Sequence, residues 1–163
     1  MIFANADVVY LCPVDLEQLR YWAAAPGYEG WPQQNRLADG ALRPAMLPAD
    51  PVLVNPIAGQ VLQALVAKVR APLFEVATRS AMFSVVMPGH RIERHADQQV
   101  REWLCRVHVP ILTNPRAELR IRDAVLHLGP AGHAFAVNAQ APHEVVNDGP
   151  SPRLHLMFDV VSR

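Results

Sequence analysis

The chain has 163 residues, the size of one ordinary domain with a real core, and its 15 basic and 15 acidic side chains cancel. That balance favours neither nucleic acid nor an anionic membrane surface as a partner, so any substrate is recognised locally. Cys12 and Cys105 supply no disulfide framework, no basic region leads into an apolar run at the N-terminus, and no apolar run is long enough for a membrane helix; a cytoplasmic protein is expected.

Asp7–Cys12 reads as a first strand, rich in β-branched and aromatic residues and stopped by Pro13. A helix is expected over Leu16–Ala25, capped by Asp15, with Leu16, Leu19 and Ala23 on one face and Pro26-Gly27 ending it. Between Pro26 and Pro51 the periodicity is lost among prolines and glycines. This reads as a long loop, either an arm over a sheet edge or a substrate lid. A second helix begins with Asn55 as cap and Pro56 at its first position; Ile57, Val61, Leu65 and Val69 recur every four residues before Pro72.

From Leu73 the pattern changes to short strands separated by turn residues. They are expected over Ala81–Met87, Ile92–Asp97, Trp103–Leu112, Ala117–Arg122, Ala124–Leu128, His133–Asn138, His143–Val146 and Arg153–Val161. Such a series preceded by helices predicts a mainly β protein, a sandwich or jelly-roll barrel. One domain is expected over 1–163, with the strand, two helices and Pro-rich loop of 1–72 packed on a β core over 73–163.

The chemistry centres on His95-Ala96-Asp97. In an extended strand the two polar side chains share a face about 7 Å apart, and with one more histidine they can hold a metal ion while leaving positions open. Alone, such a triplet is more often solvated. His143, 48 residues on at the start of a late strand, supplies the third ligand if a jelly roll brings the two strands together. Ten residues further, across Asn147-Asp148-Gly149-Pro150, Arg153 can reach the same cavity and clamp a carboxylate with two parallel hydrogen bonds.

Strand Trp103–Pro110 carries Arg106 and His108 on one side, opposite Trp103, Cys105, Val107 and Val109. By itself this is an edge strand with a wet outer face; beside a metal site it is a cavity wall with anion or substrate contacts. His155 shares a face with Arg153 and either lines the cavity or is a hydrogen-bonded core histidine. His90, His127 and His133 read as surface histidines, Asn138 as a satisfied strand end or a co-substrate contact, and Pro88-Gly89 as a tight turn.

Four ordered blocks, Pro88-Gly89-His90-Arg91-Ile92-Glu93-Arg94-His95-Ala96-Asp97, Arg106–Pro115, Asn138 with His143–Asn147, and Arg153–Asp159, resemble the aspartyl/asparaginyl β-hydroxylase family, in particular its bacterial proline-hydroxylase-like branch. The resemblance implies a double-stranded β-helix (jelly roll, cupin-like) with supporting N-terminal helices. It also implies an Fe(II)- and 2-oxoglutarate-dependent dioxygenase that uses O2 to hydroxylate a C–H bond, releasing succinate and CO2. By position it implies His95, Asp97 and His143 as iron ligands, Arg153 at the distal carboxylate of 2-oxoglutarate, and Arg106 and His108 beside that co-substrate. Asp97 is a departure from the animal members, which lack the carboxylate ligand. The substrate implied is an amino acid or an aspartyl, asparaginyl or prolyl-type side chain, small molecule or peptide, with Arg91, Arg94 and His155, and also Gln98 and Arg101, as candidate contacts. The competing reading is a cupin-like metal-binding protein without oxygenase activity, an isomerase or small-molecule binding module; such proteins usually recruit three histidines and lack the downstream arginine.

Overall fold

The computed structural model describes residues 2–17, 45–48, 51–69, 76–98 and 101–162. Its strands are β1 (Val8–Pro13), β2 (Ala45–Pro48), β3 (Val76–Val86), β4 (His90–His95), β5 (Trp103–Leu112), β6 (Ala117–Ile121), β7 (Ala124–Leu126), β8 (His133–Val137), β9 (His143–Asn147) and β10 (Arg153–Ser162). Helix α1 (Pro51–Val69) lies between β2 and β3. The strands pair antiparallel into two sheets, ordered β1-β8-β5-β10-β3-β2 and β4-β9-β6-β7. This is the jelly-roll arrangement expected from the strand spacing.

Period-two alternation along the two central strands of the large sheet decides what lies where. Cys105, Val107, Val109 and Ile111 of β5 and Leu154, Leu156, Phe158 and Val160 of β10 face α1, where Val54, Ile57, Val61 and Leu65 complete the main core. Their neighbours in sequence, Arg106 and His108 on β5 and Arg153 and His155 on β10, therefore face the small sheet. A second cluster of Val86, Leu119, Ile121, Leu128, Val137, Ala141 and Val145 fills part of that inter-sheet space. β5 is thus flanked by β8 and β10, and its polar row is internal; the edge-strand reading is overturned.

Other boundaries differ from expectation. Helix α1 starts at Pro51, which leaves Pro56 inside it and not at its first position. Proline tolerates the first turn, and Pro56 lies just beyond it, where its missing N–H removes one early backbone bond. β3 begins at Val76 instead of Ala81, and Ala45–Pro48 of the Pro-rich stretch pairs with β3 as an edge strand, a position that accepts proline. The expected helix beyond Glu17 and the loop residues 26–44 and 49–50 lie outside the described residues. Among the described residues no helix is long and apolar enough to cross a membrane.

Two turns hold the site-bearing strands in place. Met87-Pro88-Gly89-His90 closes with His90 N donating to Met87 O at 3.1 Å, and Gly89 takes φ 76°, so proline and glycine occupy the two positions this turn demands. At the end of β9, buried Asn147 donates to Val86 O (2.8 Å) and Ser151 O (2.9 Å) and accepts from Asn114 Nδ2 (3.0 Å). Asn114 presses so close to Gly149 that a Cβ there would collide with its side chain, which is why the turn leading to Arg153 carries glycine.

Candidate metal centre and anion pocket

β4 and β9 are paired, and His95 stands directly opposite His143 with ring centroids 4.3 Å apart. Asp97 lies two residues beyond the end of β4, not within the strand as expected; its backbone N–H donates to Ala139 O at 2.9 Å. Its Oδ1 comes to 3.6 Å from His95 Nε2, and one ligand atom from each of the three residues lies within 4.8 Å of the others. The pair two apart in sequence thus meets His143 by cross-strand register.

Backbone carbonyls set the tautomers. His95 Nδ1–H donates to Glu93 O at 2.7 Å, and His143 Nδ1–H donates to Ala141 O at 2.8 Å. A carbonyl only accepts, so in each neutral ring the proton sits on Nδ1 and the Nε2 lone pair is free. Burial lowers the pKa of His143, opposed by the Ala141 hydrogen bond, and so preserves the unprotonated form a metal needs. The set is two imidazoles and one carboxylate, a donor combination that suits an open iron(II) site.

Arg106 braces the carboxylate ligand candidate. Its Nη1 donates to Asp97 Oδ2, while Nε and Nη2 reach Asp159 Oδ1 and Oδ2 at 2.9 and 3.0 Å. Trp103 Nε1 also donates to Asp159 Oδ1, at 3.1 Å. Burial works against the Arg106 charge, but the hydrogen bond and charge of Asp159 and the charge of Asp97 outweigh it and raise its pKa. The structure therefore commits Arg106, expected beside a co-substrate, to these two carboxylates.

A second group of buried polar side chains lies on β3, β5 and β10. Arg153 is 2% exposed and donates from Nη2 to His155 Nδ1 at 2.9 Å. Because a guanidinium only donates, His155 Nδ1 accepts, and the His155 proton sits on Nε2. That Nε2, Arg153 Nη1, Ser84 Oγ and His108 Nδ1 are all buried without a hydrogen-bond partner among the described residues. Ser84 pairs with His155 across β3 and β10, so the two share a face, and the His108 and His155 rings meet edge to face at 5.8 Å. Burial alone pulls Arg153 down to about 9, still charged at neutral pH, and no carboxylate among the described residues offsets it. Buried polar groups are ordinarily satisfied, so this cluster has the complement of a bound anion.

The remaining candidates are more exposed. Arg91 sits 4.0 Å from Glu93, Arg94 donates to Arg122 O at 3.2 Å, and Gln98 and Arg101 are exposed. His127 is exposed, whereas His90 and His133 are half-buried, and Asn138 satisfies a strand end by donating to Asp7 Oδ1 at 2.7 Å. Sequence reading missed Ser84, Trp103 and Asp159. Asp159 was signalled by alternation with Arg153 and His155 along β10 and by its place at the end of the Arg153–Asp159 block.

Burial, followed by the charge of Arg153, also lowers His108 and His155 well below the usual 6.5. Below that value the unfolded chain binds protons that the folded chain refuses, so stability is full above it and falls as pH drops. Two such groups give a slope of up to about 2.7 kcal/mol per pH unit. Urea denaturation of the metal-free protein from pH 7 to pH 5 is expected to show a steep loss, and a flat profile would contradict the assignment of two buried neutral imidazoles.

A family model described as Aspartyl/Asparaginyl beta-hydroxylase matches residues 58–163, well over half of the sequence. The chain belongs to the aspartyl/asparaginyl β-hydroxylase family. Membership in this hydroxylase family extends the similarity from the four site-bearing blocks back into α1. A comparison with curated protein sequences finds no match. Among solved structures, the fold is similar to a Pseudomonas putida prolyl-4-hydroxylase, with TM-score 0.70, 16% identity and coverage of 98% of this chain and 95% of that one. It is likewise similar to a viral collagen prolyl hydroxylase from Paramecium bursaria Chlorella virus-1, a 2-oxoglutarate complex, with TM-score 0.70, 9% identity and coverage of 98% and 97%. EvdO2 from Micromonospora carbonacea, complexed with 2-oxoglutarate, gives TM-score 0.64, 11% identity and coverage of 99% and 89%. At these identities the likeness establishes the fold, the double-stranded β-helix expected of the family.

Proposed function

We propose that this β-hydroxylase family member is an Fe(II)- and 2-oxoglutarate-dependent dioxygenase that hydroxylates a C–H bond of an amino acid or of an aspartyl, asparaginyl or prolyl-type side chain. The observation that carries the reading is the pairing of two incomplete sites, a converging His95, Asp97 and His143 set and a buried Arg153 with no counter-anion among the described residues. The 2-oxoglutarate complexes formed by the viral and Micromonospora proteins support it.

His95 Nε2, Asp97 Oδ1 and His143 Nε2 would hold the iron, whose bound form supplies dioxygen activation for C–H cleavage. Arg153, His155 Nε2–H and Ser84 Oγ receive one carboxylate of 2-oxoglutarate and fix its orientation by charge-assisted hydrogen bonds. The apolar residues Val86, Leu119, Val137 and Val145 keep the inter-sheet space dry, which strengthens those bonds. His108, buried beside His155, is a wall of the co-substrate pocket, and Arg106 fixes the carboxylate ligand. Arg91 and Arg94, on the strand that carries His95, are proposed to meet the primary substrate. Overall, one oxygen atom of O2 enters the hydroxylated product and the other enters succinate as CO2 leaves.

Incubation with iron(II), ascorbate and labelled 2-oxoglutarate, with a panel of free amino acids and Asp-, Asn- and Pro-containing peptides, is expected to yield succinate, increased by the true substrate. No succinate with any member of the panel, together with no iron-dependent 2-oxoglutarate binding, would overturn the reading in favour of a non-oxygenase metal-binding protein.

A further inference from the structure

We infer that Asp159 is a positioning residue for the metal centre, acting through Arg106 to make Asp97 present a single oxygen to the ion; this rests on the proposed metal-binding role of His95, Asp97 and His143. The argument begins with the two oxygens of Asp97. Oδ2 is taken by Arg106 Nη1, while Oδ1 faces His95 Nε2 at 3.6 Å. A carboxylate with one oxygen engaged in this way is directed toward one-point ligation, which keeps a further coordination position open for reactants.

Arg106 could not hold that position by itself, since a long side chain retains rotamer freedom. Asp159 removes it. The carboxylate grips Nε and Nη2 in two parallel hydrogen bonds of 2.9 and 3.0 Å, and this fork leaves Nη1 aimed at Asp97. Asp159 is fixed in turn by Trp103 Nε1 at 3.1 Å and by its place opposite Arg106 in the β5–β10 register. One cation thus stands between two carboxylates, and the half-buried Asp159, 53 residues from Arg106 in sequence, balances the charge that remains once Asp97 is shared with a metal. Both carboxylates have a function: one meets the ion, and the other orients the guanidinium that orients the first.

The experiment is metal titration of purified protein by calorimetry under argon, using cobalt(II) and iron(II), with the cobalt(II) absorption spectrum as a report on coordination. The variants are Asp159→Asn, Arg106→Gln, their double mutant, and His143→Ala as the control for the site itself. Asp159→Asn keeps the side-chain shape and an acceptor for Trp103. It is expected to weaken metal binding about 10–100-fold, the range for loss of an outer-sphere partner, and to change the cobalt(II) spectrum. Because Asp159 acts through Arg106, the double mutant is expected to bind as weakly as Arg106→Gln alone, a non-additivity that general destabilisation would not produce. If Asp159→Asn does not fold, Arg106→Lys carries the test, since it keeps the charge but removes the fork; it is then expected to alter affinity and spectrum together. Affinity and spectrum unchanged in the folded variants, or additive losses in the double mutant, would overturn the inference while the metal site stands. Binding unaffected by His143→Ala would instead show that the metal site is elsewhere.

Discussion

Arg153→Met is expected to raise the stability of the ligand-free protein while removing most of its affinity for 2-oxoglutarate. The guanidinium is buried, and among the described residues it meets only His155 and leaves Nη1 without an acceptor. An uncompensated interior charge is costly, and an apolar side chain of similar length relieves that cost, offset in part by the His155 Nδ1 it leaves unpaired, for a net gain of about 1 kcal/mol. The same charge is what a dicarboxylate co-substrate would need. Truncating one member of a buried, hydrogen-bonded charge pair costs about 2–5 kcal/mol of binding, or roughly 30- to 5,000-fold in Kd. The opposite signs make the prediction sharp. A purely structural arginine would lose stability when replaced; urea denaturation and calorimetry with 2-oxoglutarate at pH 7 therefore distinguish the two cases. Lower stability with unchanged affinity would contradict the proposed anion pocket.

His143→Ala is the second large effect, and it is expected to fall on the metal. His143 supplies one Nε2 of the three-residue set, with its tautomer fixed by Ala141. Loss of a direct ligand should exceed the roughly 10–100-fold change that follows loss of an outer-sphere partner. His95→Ala is expected to act similarly on metal affinity but more gently on folding, because His95 is exposed whereas His143 is buried. Parallel metal titration and thermal denaturation of the two variants check this; equal metal affinity in wild type and both variants would contradict the ligand assignment.

The contrast between these residues and Asp159 shows what was legible in the sequence. Alternation along β5 and β10 separates Arg106, His108, Arg153 and His155 from their apolar neighbours without any knowledge of the fold. Pro88-Gly89 and Asn147–Pro150 mark turns because proline and glycine impose local backbone geometry. The spacing of His95 and Asp97 also pointed to a shared site, although Asp97 reaches it from beyond the strand, held by the Ala139 carbonyl. What alternation cannot supply is register. The facing of His95 with His143, of Ser84 with His155 and of Arg106 with Asp159 depends on how distant strands align. The short β2 was hidden for a related reason: proline is a breaker signal locally, yet an edge strand has room for it. Likewise, Pro56 suggested a helix start because that is the best local position for proline, whereas packing carries α1 a turn further back.

The carboxylate pocket and the metal site are proposed to act on one molecule, which makes their coupling the central claim. Titration of 2-oxoglutarate into the protein under argon, with and without iron(II), tests it most directly. Binding is expected to be much tighter when iron(II) is present, to be lost in Arg153→Met, and to lose its iron dependence in His143→Ala. Affinity for 2-oxoglutarate that is absent, or unaffected by iron(II) in the wild-type protein, would contradict it.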